Sequence, residues 1–310
     1  MASKVALVCG ARGFIGRHVS RELALMGMAV HGIGHGAWEE AERIQWGVTR
    51  WTRSDLTLAS LAVAAQGERV AMLIHCAGSG SVAHSYSAPL DDFQRSVSSV
   101  VELLEYARTL PDRPRVVVTS SAAVYGDQGD VDLTETSICS PISPYGFHKL
   151  SAEHLCDSYA RFFSVPVSVV RLFSVYGEGL RKQLLWDASG KFARGELTFF
   201  GTGHELRDWI HVSDAAALLV AAAAEGQQVF EIYNGGHSHA TTREVLETLS
   251  RAYGIGATPR FSGKTHTGNP RRLTANCAHS RRQLGWAPRV SLDDGLSSYA
   301  AWYRESVLSA

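Results

Sequence analysis

The sequence predicts an α/β protein: a doubly wound parallel sheet with a smaller, interwoven C-terminal domain. Three observations carry this. A first apolar run, residues 4–9, feeds a glycine turn that opens a helical pattern. Short apolar runs then recur at 29–33, 70–74, 115–119 and 165–172, and the stretches from 14, 93 and 145 that alternate with them have helical periodicity, the order of a parallel sheet. After residue 172 the alternation breaks down. Residues 1–172 and 208–236 therefore form the expected first domain, and 173–207 with 237–310 the second.

Val-Ala-Leu-Val at 5–8 is a short run suited to a fully buried strand. It enters Gly10-Ala11-Arg12-Gly13-Phe14-Ile15-Gly16, and helical periodicity continues through Val19, Leu23 and Leu25. In that setting Gly10 permits the tight turn. Gly13 lets backbone approach a pyrophosphate at the helix N-terminus, and Gly16 lets helix and strand pack closely. Phe14 and Ile15 belong to the same candidate dinucleotide site. The second strand, 29–33, runs into Gly34-His35-Gly36 without the acidic residue that commonly holds a ribose 2′-hydroxyl. Arg12 and His35 suit a 2′-phosphate instead, which favours NADP; NAD held without the carboxylate is the alternative. A third strand ends near Trp51. Asp55 and Leu56 then suit an adenine amino group and its face, or Asp55 caps a helix that begins near Leu56.

The strand at 70–74 ends in His75-Cys76-Ala77-Gly78. Small Ala77 and Gly78 let the backbone pass close to a flat cofactor. His75 is expected to be a packed structural residue. A helix over 93–107 precedes the strand at 115–119, which delivers Ser120-Ser121-Ala122-Ala123 at its C-terminal end, where open parallel sheets bind ligands. Ser121 is the candidate hydroxyl for a substrate oxygen, with Ser120 as its competitor. Pro144 suits a helix start, and Tyr145 and Lys149 follow four residues apart, on one helix face. An ammonium beside a phenol lowers the tyrosine pKa. Such a phenol exchanges a proton with a hydroxyl or carbonyl.

Beyond the strand at 165–172, helices are expected at 183–194, 242–252, 279–284 and 292–304. An alanine-rich helix follows Asp214, and a short strand covers 228–233. Arg181, Arg207, Arg271 and Arg272 are candidates for gripping a diphosphate, since guanidinium matches phosphate geometry. Arg207 and then Arg272 are preferred. Residues 174–207 and 260–275 are expected to shape the substrate pocket.

Thirty basic and thirty acidic side chains cancel, so overall charge points to neither nucleic acid nor a membrane surface. Five widely spaced cysteines without metal-type pairs read as reduced thiols in a cytoplasmic protein. No apolar run approaches the ~20 residues of a membrane span, and no signal-peptide pattern opens the chain.

The pieces GARGFIG, AGSGSVAHSYSAP, SSAAVYG, SPYGFHK, RLFSVYGEG, RDWIHVSD and LGWAP run in order across nearly the whole chain. Together they resemble the extended short-chain dehydrogenase/reductases that act on nucleotide-sugars, the group of UDP-galactose 4-epimerase. The resemblance implies a Rossmann-type domain with a C-terminal domain for a nucleotide-diphosphate sugar. It implies Ser121, Tyr145 and Lys149 as the catalytic trio, with Lys149 also on the nicotinamide ribose. Ser81, Ser174, Arg181, Arg207 and Arg272 become the substrate-side candidates. It also implies a homodimer through a four-helix interface, here the helices from residues 93 and 145, and a role in polysaccharide or glycosylated-metabolite synthesis.

Departures from the family pattern narrow the chemistry. The Thr-Asp-Glu of the 4,6-dehydratases is Ser121-Ala122-Ala123, so the acid and base that eliminate water are missing. The cysteine of the fucose synthases is Ala122, and Cys139 is left as a pocket-lining candidate. The asparagine of Phe-Asn-Val-Tyr-Gly is Ser174, and the one usual in the helix after His84 is Ser96. What remains is hydride transfer at a sugar carbon, C4 by resemblance. A 4-epimerase takes hydride off and returns it to the other face through a 4-keto sugar. An NADPH-dependent reductase of a 4-keto-6-deoxy sugar performs only the return. The family favours the first; Arg12 and the missing acid lean toward the second. A nucleotide-binding regulator without activity is the third reading, against which the intact Tyr145 and Lys149 argue.

Overall fold

The computed structural model describes residues 5–256, 258–264 and 270–308. Residue 4 of the first expected strand and residues 265–269 of the expected pocket stretch lie outside these. The strands are β1 Val5–Cys9, β2 Ala29–Gly34, β3 Val48–Arg53, β4 Val70–His75, β5 Arg115–Ser121, β6 Asp132–Leu133, β7 Val167–Leu172 and β8 Ser174–Tyr176. They continue with β9 Thr198–Phe199, β10 Leu206–His211, β11 Phe230–Gly235, β12 Ser238–Thr241, β13 Arg260–Phe261 and β14 Arg272–Ala275. The helices are α1 Phe14–Leu25, α2 Glu40–Gln45, α3 Leu58–Ala65, α4 Val82–Ser87, α5 Pro89–Phe93 and α6 Ser99–Thr109. They continue with α7 Pro144–Phe163, α8 Gln183–Ala193, α9 Val212–Glu225, α10 Thr242–Ala252, α11 Ala278–Leu284 and α12 Leu292–Tyr303.

Seven strands form one parallel sheet in the order β11-β7-β5-β4-β1-β2-β3. The period of two along β1 divides it between two cores. Ala6 and Val8 face α1 and α9 through Val19, Leu23, Leu218 and Leu219. Leu7 and Cys9 face α3, α6 and α7 through Leu61, Leu103, Leu104 and Cys156. Burial on both faces explains why β1 and β4 read as short, largely apolar runs. The chain order reverses between β1 and β4, and such a switch point opens a crevice beyond the strand ends.

A second sheet, β12-β10-β14-β6 with β8 beside β10, stands over that crevice. It packs on α8, α10 and α12 through a third core that includes Tyr176, Phe192, Trp209, Leu249 and Tyr299. Strand β10 belongs to this smaller layer, so the chain re-enters the larger one at α9 rather than at residue 208. Glu178, just after β8, lies 3.0 Å from His211 at the end of β10. Burial works against its charge, but hydrogen bonds from His211 and Ser298 outweigh it and hold the carboxyl at about 2.

Two local expectations change. The helix expected at 93–107 is broken into α5, a π-helical turn over Gln94–Ser98, and α6. Asp55 is not a helix cap. Thr57 takes that place, with a reciprocal Thr57–Ser60 capping box opening α3.

Candidate active site

A cavity of about 730 Å³ lies between the two layers. Its larger-sheet wall includes Gly13, Ile15, Ala77, Gly78, Ser121 and Tyr145; the opposite wall includes Ser174, Phe200, Arg207 and Trp209.

The glycine turn brings β1, α1 and β4 into contact. Gly10 has φ +77°, and a Cβ there would lie 2.9 Å from the backbone nitrogen of Ala77. A Cβ on Gly16 would lie 2.1 Å from the Gly10 carbonyl oxygen. Gly13 occupies the N-cap position of α1 and supplies no side-chain cap. The first-turn amides therefore remain for an anion, and Phe14 and Ile15 line the cavity beside them. This cradle fits the pyrophosphate of a dinucleotide.

At the far end of that groove, β2 ends without a carboxylate. Arg12 abuts Gly36, where a Cβ would lie 2.7 Å from the guanidinium. His35 Nε2 is 3.4 Å from Asp55 Oδ1, and both side chains are exposed. Leu56 packs on the core beside them. Arg12, His35, Asp55 and Leu56 thus gather where β2 and β3 end.

Tyr145 and Lys149, the candidate proton-handling pair, lie on α7. Ser143 caps this helix by accepting the Gly146 N–H at 3.1 Å, and Pro144 occupies its first turn. The N–H of Tyr145 donates to Ser85 Oγ at 3.0 Å. Ser85 is a buried partner that the sequence reading missed, being one of several serines in a loop-like run. Lys149 is buried and donates to the Thr119 carbonyl at 3.0 Å. A Cβ on Gly78 would lie 3.6 Å from Lys149 Nζ and 3.8 Å from Ser96 Oγ.

The Tyr145 pKa is raised, not lowered as its spacing from Lys149 suggests. Burial pushes this phenol up to about 12; a hydrogen bond with Ser121 opposes the rise, and the charge of Asp92 adds to it. Lys149 Nζ stands 5.9 Å from the phenol ring centroid, too far to outweigh the loss of solvent. Burial lowers the pKa of Lys149 itself.

The choice between the two serines is a matter of direction. Ser120 donates behind the sheet to Glu153, which also pairs with Arg171 at 2.7 Å. Both residues border the cavity, but the Ser120 hydroxyl is committed to Glu153 while that of Ser121 meets Tyr145. His75 is structural, as expected. Its Nε2 lies 2.9 Å from Ser99 Oγ, and burial, with Lys149 nearby, pushes it down to about 3.

The substrate-side candidates divide. Ser174 and Arg207 line the cavity, and Arg207 donates to the carbonyls of Leu206 and Pro270, both at 2.7 Å. The other four, Arg181, Arg271, Arg272 and Ser81, are not part of its lining. Arg181 stacks over Trp186 and Trp302, with centroids at 5.9 and 5.7 Å. Arg272 is held by Asp132 at 2.6 Å, and Arg271 pairs with Asp130. Ser81 caps α4 by accepting the His84 N–H at 3.2 Å. Cys139 packs against the core outside the cavity lining, whereas Cys76 is in it. Lys182, which the sequence reading did not single out, lines the cavity and donates to the Ser79 carbonyl at 3.0 Å.

Comparison with known proteins identifies the family. The profile of the NAD dependent epimerase/dehydratase family matches residues 6–236. The uncharacterized UDP-glucose epimerase YtcB of Bacillus subtilis is 30% identical over 96% of both chains. The UDP-glucose 4-epimerase of Thermotoga maritima, solved with UDP-glucose, superposes with a TM-score of 0.88 at 26% identity, covering 98% of this chain and 99% of that one. The UDP-glucuronic acid 4-epimerase of Bacillus cereus, solved with UDP-glucuronic acid and NAD, gives 0.86 at 27% identity, covering 97% and 99%. With a dinucleotide cradle at the switch point and a family match across three quarters of its length, this chain belongs to the NAD dependent epimerase/dehydratase family, enzymes of the extended short-chain dehydrogenase/reductase class.

Proposed function

We propose that this enzyme is a nucleotide-sugar 4-epimerase working through a transient 4-keto sugar. One observation carries the reading: Ser121 and Tyr145 meet at the cavity wall beside Lys149, while Ala122 and Ala123 next to them have no ionisable group. Tyr145 takes the C4 hydroxyl proton and returns it, and Ser121 hydrogen-bonds the same oxygen. Lys149 orients the nicotinamide ribose. A bound nicotinamide supplies the hydride acceptor and donor. Its dinucleotide is held by the Gly10–Gly16 turn, by Arg12, His35, Asp55 and Leu56 at the adenosine end, and by Ala77 and Gly78 near the nicotinamide. Ser174 and Arg207 contact the nucleotide-diphosphate side of the substrate. The larger layer thus serves the cofactor and the smaller one the sugar nucleotide. Elimination of water needs a further acid and base, which the two alanines do not provide.

The test is to incubate the protein with UDP-glucose and related UDP-sugars and follow C4 configuration by NMR. Interconversion of C4 epimers without net reduction of dinucleotide supports the reading; no epimer from any nucleotide-sugar rejects it. Arg12 beside Gly36, at a strand end without a carboxylate, favours the reductase as second reading and NADP as its cofactor. Stoichiometric consumption of NADPH with a 4-keto-6-deoxy sugar would establish that case instead. Exposed Phe93 and Phe147, on α5 and α7, support a homodimer through the helices around residues 93 and 145, which sedimentation tests. Five unpaired thiols are in keeping with a cytoplasmic setting. Among the described residues, no helix is long and apolar enough to cross a membrane.

A further inference from the structure

A buried acid outside the catalytic trio stands behind it. Asp92, in α5, is fully buried. Ser79 donates to its Oδ1, and Nδ1 of His148 lies 2.6 Å from its Oδ2. Ser79 belongs to the loop that carries Gly78 and Gly80 along the cavity. His148 lies on α7 immediately before Lys149, with Phe93 edge-on to its ring at 5.6 Å. One carboxylate therefore ties two walls of the site together.

The same carboxylate faces two buried groups that need a defined charge. Lys149 donates to a carbonyl, and Asp92 is foremost among the carboxylates acting on it, ahead of Glu153 on α7; the buried thiols of Cys76 and Cys156 nearby stay protonated. Glu153 is committed to Arg171 and Ser120. On α5 itself, Asp91 is committed to His84 and Arg95. Asp92 also acts on Tyr145, whose other polar neighbours are Ser121 and Lys149.

We infer that Asp92 is a positioning residue of this active site: held by Ser79 and His148, it fixes the cavity loop against the catalytic helix and acts through space on Tyr145 and Lys149. The inference deepens the proposed function and rests on Tyr145 and Lys149 as its acid–base pair. The negative charge favours the proton on both groups, so removing it moves both ionisations to lower pH.

The experiment is Asp92→Asn, nearly isosteric, checked for folding by its melting curve. Expected is a downward displacement of about 1 pH unit in the rising limb of turnover with a UDP-sugar, the limb set by loss of the Tyr145 proton. A lower plateau with the limb unmoved overturns the inference, because a merely structural loss gives that result. Ultraviolet difference titration against the same chain carrying Tyr145→Phe reads the phenol directly, with no need for turnover. Phenolate absorbance appearing about 1 pH unit lower in Asp92→Asn supports the inference even if no sugar is turned over, and unchanged titration overturns it. A wild-type chain that epimerises nothing thus rejects the proposed function separately. If Asp92→Asn does not fold, Asp92→Ser replaces it, removing the same charge; the phenol titration moves down by about 1 pH unit, and an unmoved titration overturns the inference.

Discussion

Lys149 and Tyr145 share one face of α7, yet the ammonium donates to the Thr119 carbonyl and stands 5.9 Å from the phenol ring centroid. The pair is therefore a placed cation and a placed acid rather than a contact ion pair. The Tyr145 hydroxyl meets Ser121 instead. Tyr145→Phe keeps the ring and its packing while removing the proton. We predict a fall in turnover of about 10²- to 10⁴-fold, the scale of lost acid–base catalysis. Binding of reduced dinucleotide, followed by its fluorescence, should hold within about twofold, a change of under ~0.5 kcal/mol. A phenylalanine variant with full activity would falsify the mechanism.

The two adjacent serines should fail in different ways. Ser121→Ala removes the hydroxyl that meets Tyr145 and accepts the Ala123 N–H, so turnover falls steeply while stability drops by no more than about 1 kcal/mol. Ser120→Ala removes a buried donor to Glu153. That carboxylate keeps Arg171, so the cost is about 1–3 kcal/mol of stability. Urea unfolding beside initial rates separates the two, and the opposite pattern would exchange their roles.

The sheet and the helix start that carries Tyr145 and Lys149 were legible because local rules write them. Strands buried on both faces are largely apolar, with exceptions such as Arg171 that have a buried partner, and the Gly10, Gly13 and Gly16 contacts admit no side chain without backbone movement. Proline and serine mark the start of α7 in the sequence itself. What escaped was set by distant partners. Whether an arginine grips phosphate or a neighbouring acid depends on where Asp132 or Trp302 comes to lie, more than a hundred residues away in sequence. The strands of the smaller sheet have two to six residues and polar faces, so they lack a clear period. The Tyr145 shift was misjudged for a related reason: spacing reveals the lysine but not the burial that outweighs it.

Acid sensitivity should trace partly to Glu178. Its carboxyl is held at about 2 against an ordinary 4.5, so the folded state binds the proton less readily than the unfolded chain. Its stabilising contribution is complete above the unfolded value and is lost as pH falls from about 4.5 through about 2. Glu178→Gln should melt below the wild type at neutral pH and should lose less stability across that acid window. Parallel melting curves for the two chains between those pH values would contradict the assignment.

Cofactor choice provides the sharpest test of the adenosine end. Arg12 stands against Gly36 where β2 ends without a carboxylate, and His35 stands beside it. A 2′-phosphate there would gain charge-assisted hydrogen bonds from Arg12, worth about 1.5–3 kcal/mol, roughly a 10- to 150-fold preference. Asp55 works in the other direction, since its exposed carboxylate lies 3.4 Å from His35 and repels a second anion. The guanidinium should prevail, because a bidentate contact acts at closer range than a solvated carboxylate. Arg12→Ala should weaken NADPH binding by at least tenfold while changing NADH binding by less than about threefold. Asp55→Asn should tighten NADPH by a smaller factor, a few-fold at low salt. Direct titration of both reduced dinucleotides decides the matter. If Arg12→Ala weakens both equally, the guanidinium serves the shared part of the cofactor, and the enzyme's selectivity lies with NAD.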